Sequence, residues 1–161
     1  MNKMAVCLWM DGTAEEAADF YMSVFKDSKI LRTSRYPDAG QEITGQKPGS
    51  VMTVEFEVNG MQILLLNGGP LFKFNEAASI VVYCDTQEEI DEYWDKLSAV
   101  PENEQCGWLK DKYGFSWQIT PPMLDEMIAN PNSTKSNAAM NAMLKMKKID
   151  IAELQKAYDE A

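Results

Sequence analysis

The chain of 161 residues contains no histidine. The commonest general base, proton shuttle and metal ligand is therefore missing. Any chemistry must work without imidazole. Glu55 and Glu57 stand two apart in "VMTVEFEV" and share a strand face with Thr53, while Val54, Phe56 and Val58 take the other face. If the acidic face lines a cleft, Glu55 is the best candidate for a general base; if it faces solvent, it is an ordinary polar surface. Cys7 lies mid-strand beside Trp9 and is the other catalytic candidate. Without an activating neighbour, and with apolar residues raising its pKa, it reads more simply as a structural thiol. Cys84 and Cys106 carry the same reading. Trp9, Trp108, Trp117 and Gln118 combine aromatic walls with an amide, as small-ligand pockets do. Aromatic core residues of this kind are equally ordinary.

The stretch "LNGGPLFKFNEAAS", from Leu66 to Ser79, follows a hydrophobic strand. Gly68, Gly69 and Pro70 are turn residues. The simple reading is a hinge whose Phe72 and Phe74 dock on the core. A sharper one places Asn67 and Lys73 at the mouth of a cleft. The ligand-binding candidates are thus Trp9, Asn67, Trp108, Trp117 and Gln118. No GxxxxGK[ST] phosphate loop is present.

Composition narrows the partners. Hydrophobic residues make up 45% and charged ones 25%, an ordinary globular balance, and the formal net charge is −10. An acidic chain repels nucleic-acid phosphates and anionic lipid. No apolar run approaches the ~20 residues that span a bilayer. The start "MNKMAVCLWMDG" has too short an apolar core for a signal peptide. Three widely spaced cysteines suit a reduced, cytoplasmic protein better than a disulfide scaffold. The expected partner is a small molecule, with no nucleic acid and no membrane.

The elements that must position these residues occur twice. "MAVCLWM" reads as a buried strand, and Thr13 with Glu16 as a capping box opening an amphipathic helix through Phe25. "KILRTSRY" and "VMTVEFEV" are strands, and Asn59-Gly60 turns the second into "MQILLL". From Ser79, "SIVVYC" repeats the first strand, Thr86 and Glu89 repeat the capping box, and "EQCGWLKDKYGFSWQIT" repeats a hairpin with its turn near Tyr113-Gly114. "VCLWMDGTAEEAADFY" aligns with "IVVYCDTQEEIDEYW" when Gly12 is skipped, pairing Phe20 with Tyr93 and Tyr21 with Trp94. Only the strand between helix and hairpin is missing or short in the second copy, near 99–106. Residues 121–161 read as three short helices, the second carrying Met140, Met143, Leu144 and Met146 on one face. Asp150 and Glu153 box the third, with Ile149 stapled to Leu154.

This doubled unit, with "FYMSVF" closing the first helix, resembles the vicinal oxygen chelate superfamily of glyoxalase I, extradiol dioxygenases and bleomycin and fosfomycin resistance proteins. "CLWMDGTAEEAADFYMSVF", "NGGPLFKF", "QCGWLKDKYGFSWQITP" and "AMLKMKKIDIAEL" resemble its PhnB-like branch, labelled 3-demethylubiquinone-9 3-methyltransferase. The resemblance implies an α+β fold of tandem βαβββ modules (the glyoxalase/bleomycin resistance/dioxygenase-like fold) with a helical C-terminal tail, assembled as a homodimer. The expected division is residues 1–120 for the domain (module one 3–67, linker 68–78, module two 79–120) and 121–161 for the tail.

In the superfamily's metal enzymes, the first and last strands of each module supply His and Glu ligands to a divalent ion. Those positions fall here at Val6 or Cys7, at Leu64, at Ile80 or Ser79, and at Gln118. Hard divalent ions want several oxygens or imidazoles, so neither a metal nor another cofactor is expected. The methyltransferase label meets its own difficulty, because no GxGxG loop for adenosylmethionine is present. Two functions remain: a metal-independent protein binding an apolar or aromatic small molecule, or an enzyme of glyoxalase/dioxygenase or methyltransferase type.

Overall fold

A computed structural model describes residues 3–161. Residues 1 and 2, which belong to the start read against a signal peptide and to the expected 1–120 domain, lie outside the described residues. The chain divides into two compact units, ending and beginning at Lys73 and Phe74, inside the expected linker.

Unit one runs β1 (Val6–Met10), α1 (Ala14–Val24), β2 (Ser28–Arg35), a single turn of helix α2 (Gln41–Thr44), β3 (Val51–Val58) and β4 (Met61–Asn67). The sheet order is β1-β4-β3-β2. β1 runs parallel to β4 and the other pairs are antiparallel. Alternation decides which side is covered. Leu8 and Met10, Val54, Phe56 and Val58, and Ile63 and Leu65 are buried. They meet the apolar stripe of α1, whose Ala14, Ala17, Ala18, Tyr21 and Val24 are also buried. Tyr21 stacks on Phe56 at 6.1 Å. Each large side chain buried there contributes about 1.5–3 kcal/mol. Asn59 and Gly60 both have positive φ (46° and 77°), as the tight Asn-Gly hairpin requires. α2 was not expected; it is one turn set between Gly40 and Gly45 inside the expected loop.

Unit two runs β5 (Ser79–Tyr83), α3 (Gln87–Leu97), a 3₁₀ turn (Pro101–Asn103), β6 (Trp108–Lys110), β7 (Ser116–Thr120), α4 (Pro122–Ile128), α5 (Ser133–Met143) and α6 (Ile151–Asp159). Its sheet has three strands, in the order β5-β7-β6. Val82, Leu109, Trp117 and Ile119 are buried in it, with Ile90, Trp94 and Leu97 of α3. Tyr21 and Trp94, paired by the internal repeat, are both buried. The weak strand of copy two is replaced by the 3₁₀ turn and a single bridge between Gln105 and Trp108. The tail supports this segment from behind. Cys106 N donates to Met146 O and Gly107 N to Lys147 O, both at 2.8 Å. Gln87 reaches the tail too, donating to Ile149 O and accepting from Ile151 N. The Met face of the tail is only partly covered: Met146 is buried, Met140 and Met143 are half-buried and Leu144 is exposed.

The two expected capping boxes of the modules differ. Thr86 Oγ1 accepts from Glu89 N at 3.2 Å, as expected. Thr13 makes no such bond. Asn67, at the end of β4, does the work instead: its Oδ1 accepts from Ala14 N at 2.9 Å and its Nδ2 donates to Val51 O at 3.1 Å. Asp150 caps α6 as expected, accepting from Glu153 N, and Ile149 and Leu154 are both fully buried.

Candidate functional site

The Asn-Gly-Gly-Pro stretch is shaped by Trp9. A Cβ on Gly68 would lie 2.2 Å from the indole, so no larger residue fits beneath that ring. The indole N–H donates to Gly69 O at 2.7 Å, and Phe72 meets the ring edge-on at 4.9 Å. Phe74, on the other side of Lys73, packs edge-on against Phe115 in unit two at 5.3 Å. Phe74 thus docks as the simple reading expected, whereas Phe72 stays 58% exposed and only touches the half-buried Trp9 ring.

The uncovered face of sheet one carries Cys7, Trp9, Leu64 and Leu66 with Thr53, Glu55 and Glu57, by strand parity and register. Glu55 is held by Arg32 through both Nε and Nη2, and Glu57 lies 2.9 Å from Lys29 Nζ. The acidic stripe foreseen on β3 is therefore neutralised by cations from β2. Cys7 is on the exposed edge strand. Partial desolvation of its sulfur raises the thiol pKa, which leaves little thiolate at neutral pH. Burial, aided by Glu89 and Asp85, pushes Cys84 further, to about 12.

In unit two, register places Lys110 opposite Ser116 and Trp108 opposite Gln118. Residues so paired stand side by side on one face, here the face turned away from buried Leu109, Trp117 and Ile119. A cavity of about 420 Å³ opens beside them. Trp108, Lys110 and Ser116 line it from the strands, Asn103 and Cys106 from the segment replacing the fourth strand, and Glu76 from the loop before β5. Lys110 Nζ lies 2.5 Å from Glu76 Oε1, and Asn103 Nδ2 donates to the same oxygen at 3.2 Å. The Lys110 hydrogen bond is the main cause that holds the Glu76 carboxyl below its ordinary value of 4.5. Gln118 Nε2 donates to Ser79 Oγ at 2.8 Å. The Ser116 hydroxyl is buried and has no protein partner among the described residues.

The sequence-derived ligand residues therefore divide. Trp108 lines the cavity, and half-buried Gln118 is its cross-strand neighbour. Trp117 is buried with its indole N–H donating to Asp111 Oδ2 at 2.8 Å. Asn67 is spent on α1, and Trp9 on the glycine turn. Asp111, set among charged residues next to the hairpin turn, is fully buried. Its Oδ1 accepts from Tyr113 N and Phe115 N, which folds the turn. Ser116 and the Glu76–Lys110 pair escaped the sequence reading, for their meaning depends on register and on a loop 34 positions away.

Strand parity separates the alternatives on the first strand of each unit. Val6 shares its face with buried Leu8, and Ile80 with buried Val82, so Cys7 and Ser79 are the residues turned the other way. The residues at the superfamily's metal positions are then a thiol and the alkyl side chain of Leu64 in unit one, and a hydroxyl and an amide in unit two. Such a set does not fit a hard divalent ion. Among the described residues no three His, Cys, Asp or Glu side chains cluster to hold one.

The 3-demethylubiquinone-9 3-methyltransferase family model matches residues 2–120. The chain belongs to this PhnB-like family. A solved structure described as a putative 3-demethylubiquinone-9 3-methyltransferase, PhnB protein, from Bacillus cereus is 36% identical, with a TM-score of 0.61, over 74% of this chain and 99% of that one. The fosfomycin resistance protein FosX from Mesorhizobium loti is 15% identical with a TM-score of 0.53, over 81% and 100%. FosX from Listeria monocytogenes, solved with Mn(II) and dihydroxypropylphosphonic acid, is 15% identical with a TM-score of 0.53, over 78% and 98%. These two share the fold, the tandem modules of the glyoxalase/bleomycin resistance/dioxygenase superfamily. No curated protein sequence matches the chain. The family match ends at Thr120, so the tail stands outside it. No helix among the described residues is long and apolar enough to cross a membrane.

Proposed function

We propose that this PhnB-like protein binds a small apolar or aromatic molecule in its module cleft without a metal. The observation that carries the reading is the cavity beside Trp108, whose roughly 420 Å³ suits a small organic ligand. The donor set of Cys7, Leu64, Ser79 and Gln118 supports the metal-free part. Trp108 and Gln118 make the contact in this reading, and buried Trp117 backs them from the other face of the same sheet. The working form is a homodimer in the cytoplasm.

A second reading is favoured by the family's printed description, methyl transfer to a demethylated ubiquinone. The residues after β1, Asp11-Gly12-Thr13, supply no glycine-rich loop for adenosylmethionine. Native mass spectrometry on protein purified without chelator or metal resin separates the readings. The expected result is a dimer free of divalent ions. About one ion per site would overturn the metal-free reading, and a retained adenosylmethionine mass would establish the second.

A further inference from the structure

Resting on the binding reading above, we infer that the unit-two cavity selects an uncharged planar molecule with a hydrogen-bonding polar group, recognised by the Ser116 hydroxyl and the Trp108 ring. Ser116 is 1% exposed, lines the cavity, and its Oγ has no protein partner among the described residues. A buried hydroxyl can both donate and accept, and costs free energy for as long as it is unmatched. A carbonyl, amide or phenol entering the cavity satisfies it.

Charge selection follows from the neighbour opposite. Lys110 is the register partner of Ser116; its side chain is 18% exposed and its ammonium is bound to Glu76 Oε1. The wall beside Ser116 is therefore an ion pair and not a free charge. An anion meets the Glu76 carboxylate, and Glu102 also lines the cavity. A cation reaches the carboxylate beside Ser116 only by displacing the Lys110 ammonium from it. A neutral polar group meets neither penalty. Flatness follows from Trp108, half-buried on the same face two residues from Lys110, whose indole offers a surface for stacking.

The test uses the full chain, ¹⁵N-labelled, and four probes: 4-hydroxybenzamide, benzoate, benzylamine and cyclohexanecarboxamide. The first is expected to shift backbone signals of residues 105–110 and 116, and to bind at least tenfold more tightly than each of the others. Ser116→Ala is expected to weaken it at least fivefold without lowering Tm, since the variant removes an unmatched group. Trp108→Leu is expected to weaken it at least tenfold. Tighter binding of benzoate or benzylamine at these residues overturns the charge argument and leaves the binding reading standing. Unchanged affinity in Ser116→Ala overturns the role of the hydroxyl. Shifts confined to Cys7 and Trp9 overturn the location. No shift with any probe overturns the inference, and the binding reading falls with it only if native mass spectrometry also finds no organic adduct.

Discussion

The two modules solve the same local problem by different means. Each must start a helix after its first strand and wall off the open side of a curved sheet. Module one starts α1 with a side chain from a distant strand, Asn67, and completes its sheet with β2. Module two starts α3 with its own Thr86 and closes its side with a 3₁₀ turn held by the tail. The divergence sits beside the cavity of unit two: the copy with one strand fewer has an opening lined by Asn103 and Cys106.

The comparison can be broken by substitution, and the largest effect belongs to the tail. Ile149 is fully buried, and a Cβ on Gly107 would lie 3.2 Å from its Cγ1. Ile149→Ala is expected to cost about 2–5 kcal/mol in urea unfolding. A loss under about 1 kcal/mol would show that the tail is an appendage and not a substitute for the strand.

The helix starts give the next test. Asn67→Ala leaves Ala14 N and Val51 O unmatched and is expected to cost about 2–3 kcal/mol. Thr86→Ala, which removes an ordinary cap, is expected to cost about 1 kcal/mol. Thr13→Ala, removing no cap bond, is expected to stay within about 0.5 kcal/mol. Equal losses at Thr13 and Thr86 in the same unfolding series would erase the distinction between the modules.

The smallest effect sharpens the cavity. The Glu76 pKa is lower in the folded chain than its ordinary 4.5. Its pairing is therefore complete above that value and is lost as pH falls through the lowered one. Carboxyl NMR should show Glu76 titrating below 4.5, and Lys110→Met should return it to the ordinary range. A carboxyl with no displacement in the parent protein would mean that the loop before β5 is not clamped.

How much of this was legible depended on distance along the chain. The repeated helix start and the Asn59-Gly60 hairpin are local signals and were enough to show a doubled unit, while the βαβββ modules and the family followed from the resemblance carried by stretches such as "NGGPLFKF". Even the weak strand near 99–106 was visible as a gap. Asn67 was singled out, but its role depends on Ala14, 53 positions earlier. Asp111 was hidden among charged neighbours in "LKDKYG", for nothing local distinguishes a buried turn carboxylate from a solvated one. Ser116 is one small residue whose lack of a partner is a property of the whole fold. The α2 turn had only glycines on either side of it, which also mark loops.

The hydrogen bonds from Cys106 and Gly107 to Met146 and Lys147 bear on how the protein is made. Synthesis runs from the N-terminus, and domains tend to fold as they emerge. Module one can assemble from residues up to Asn67 alone. The cavity wall of module two must wait some 40 further residues after it leaves the ribosome, and such long-range closures are slow. A nascent chain paused between Gly107 and Met146 would hold one finished half and one open pocket, and would offer chaperones and proteases their clearest target.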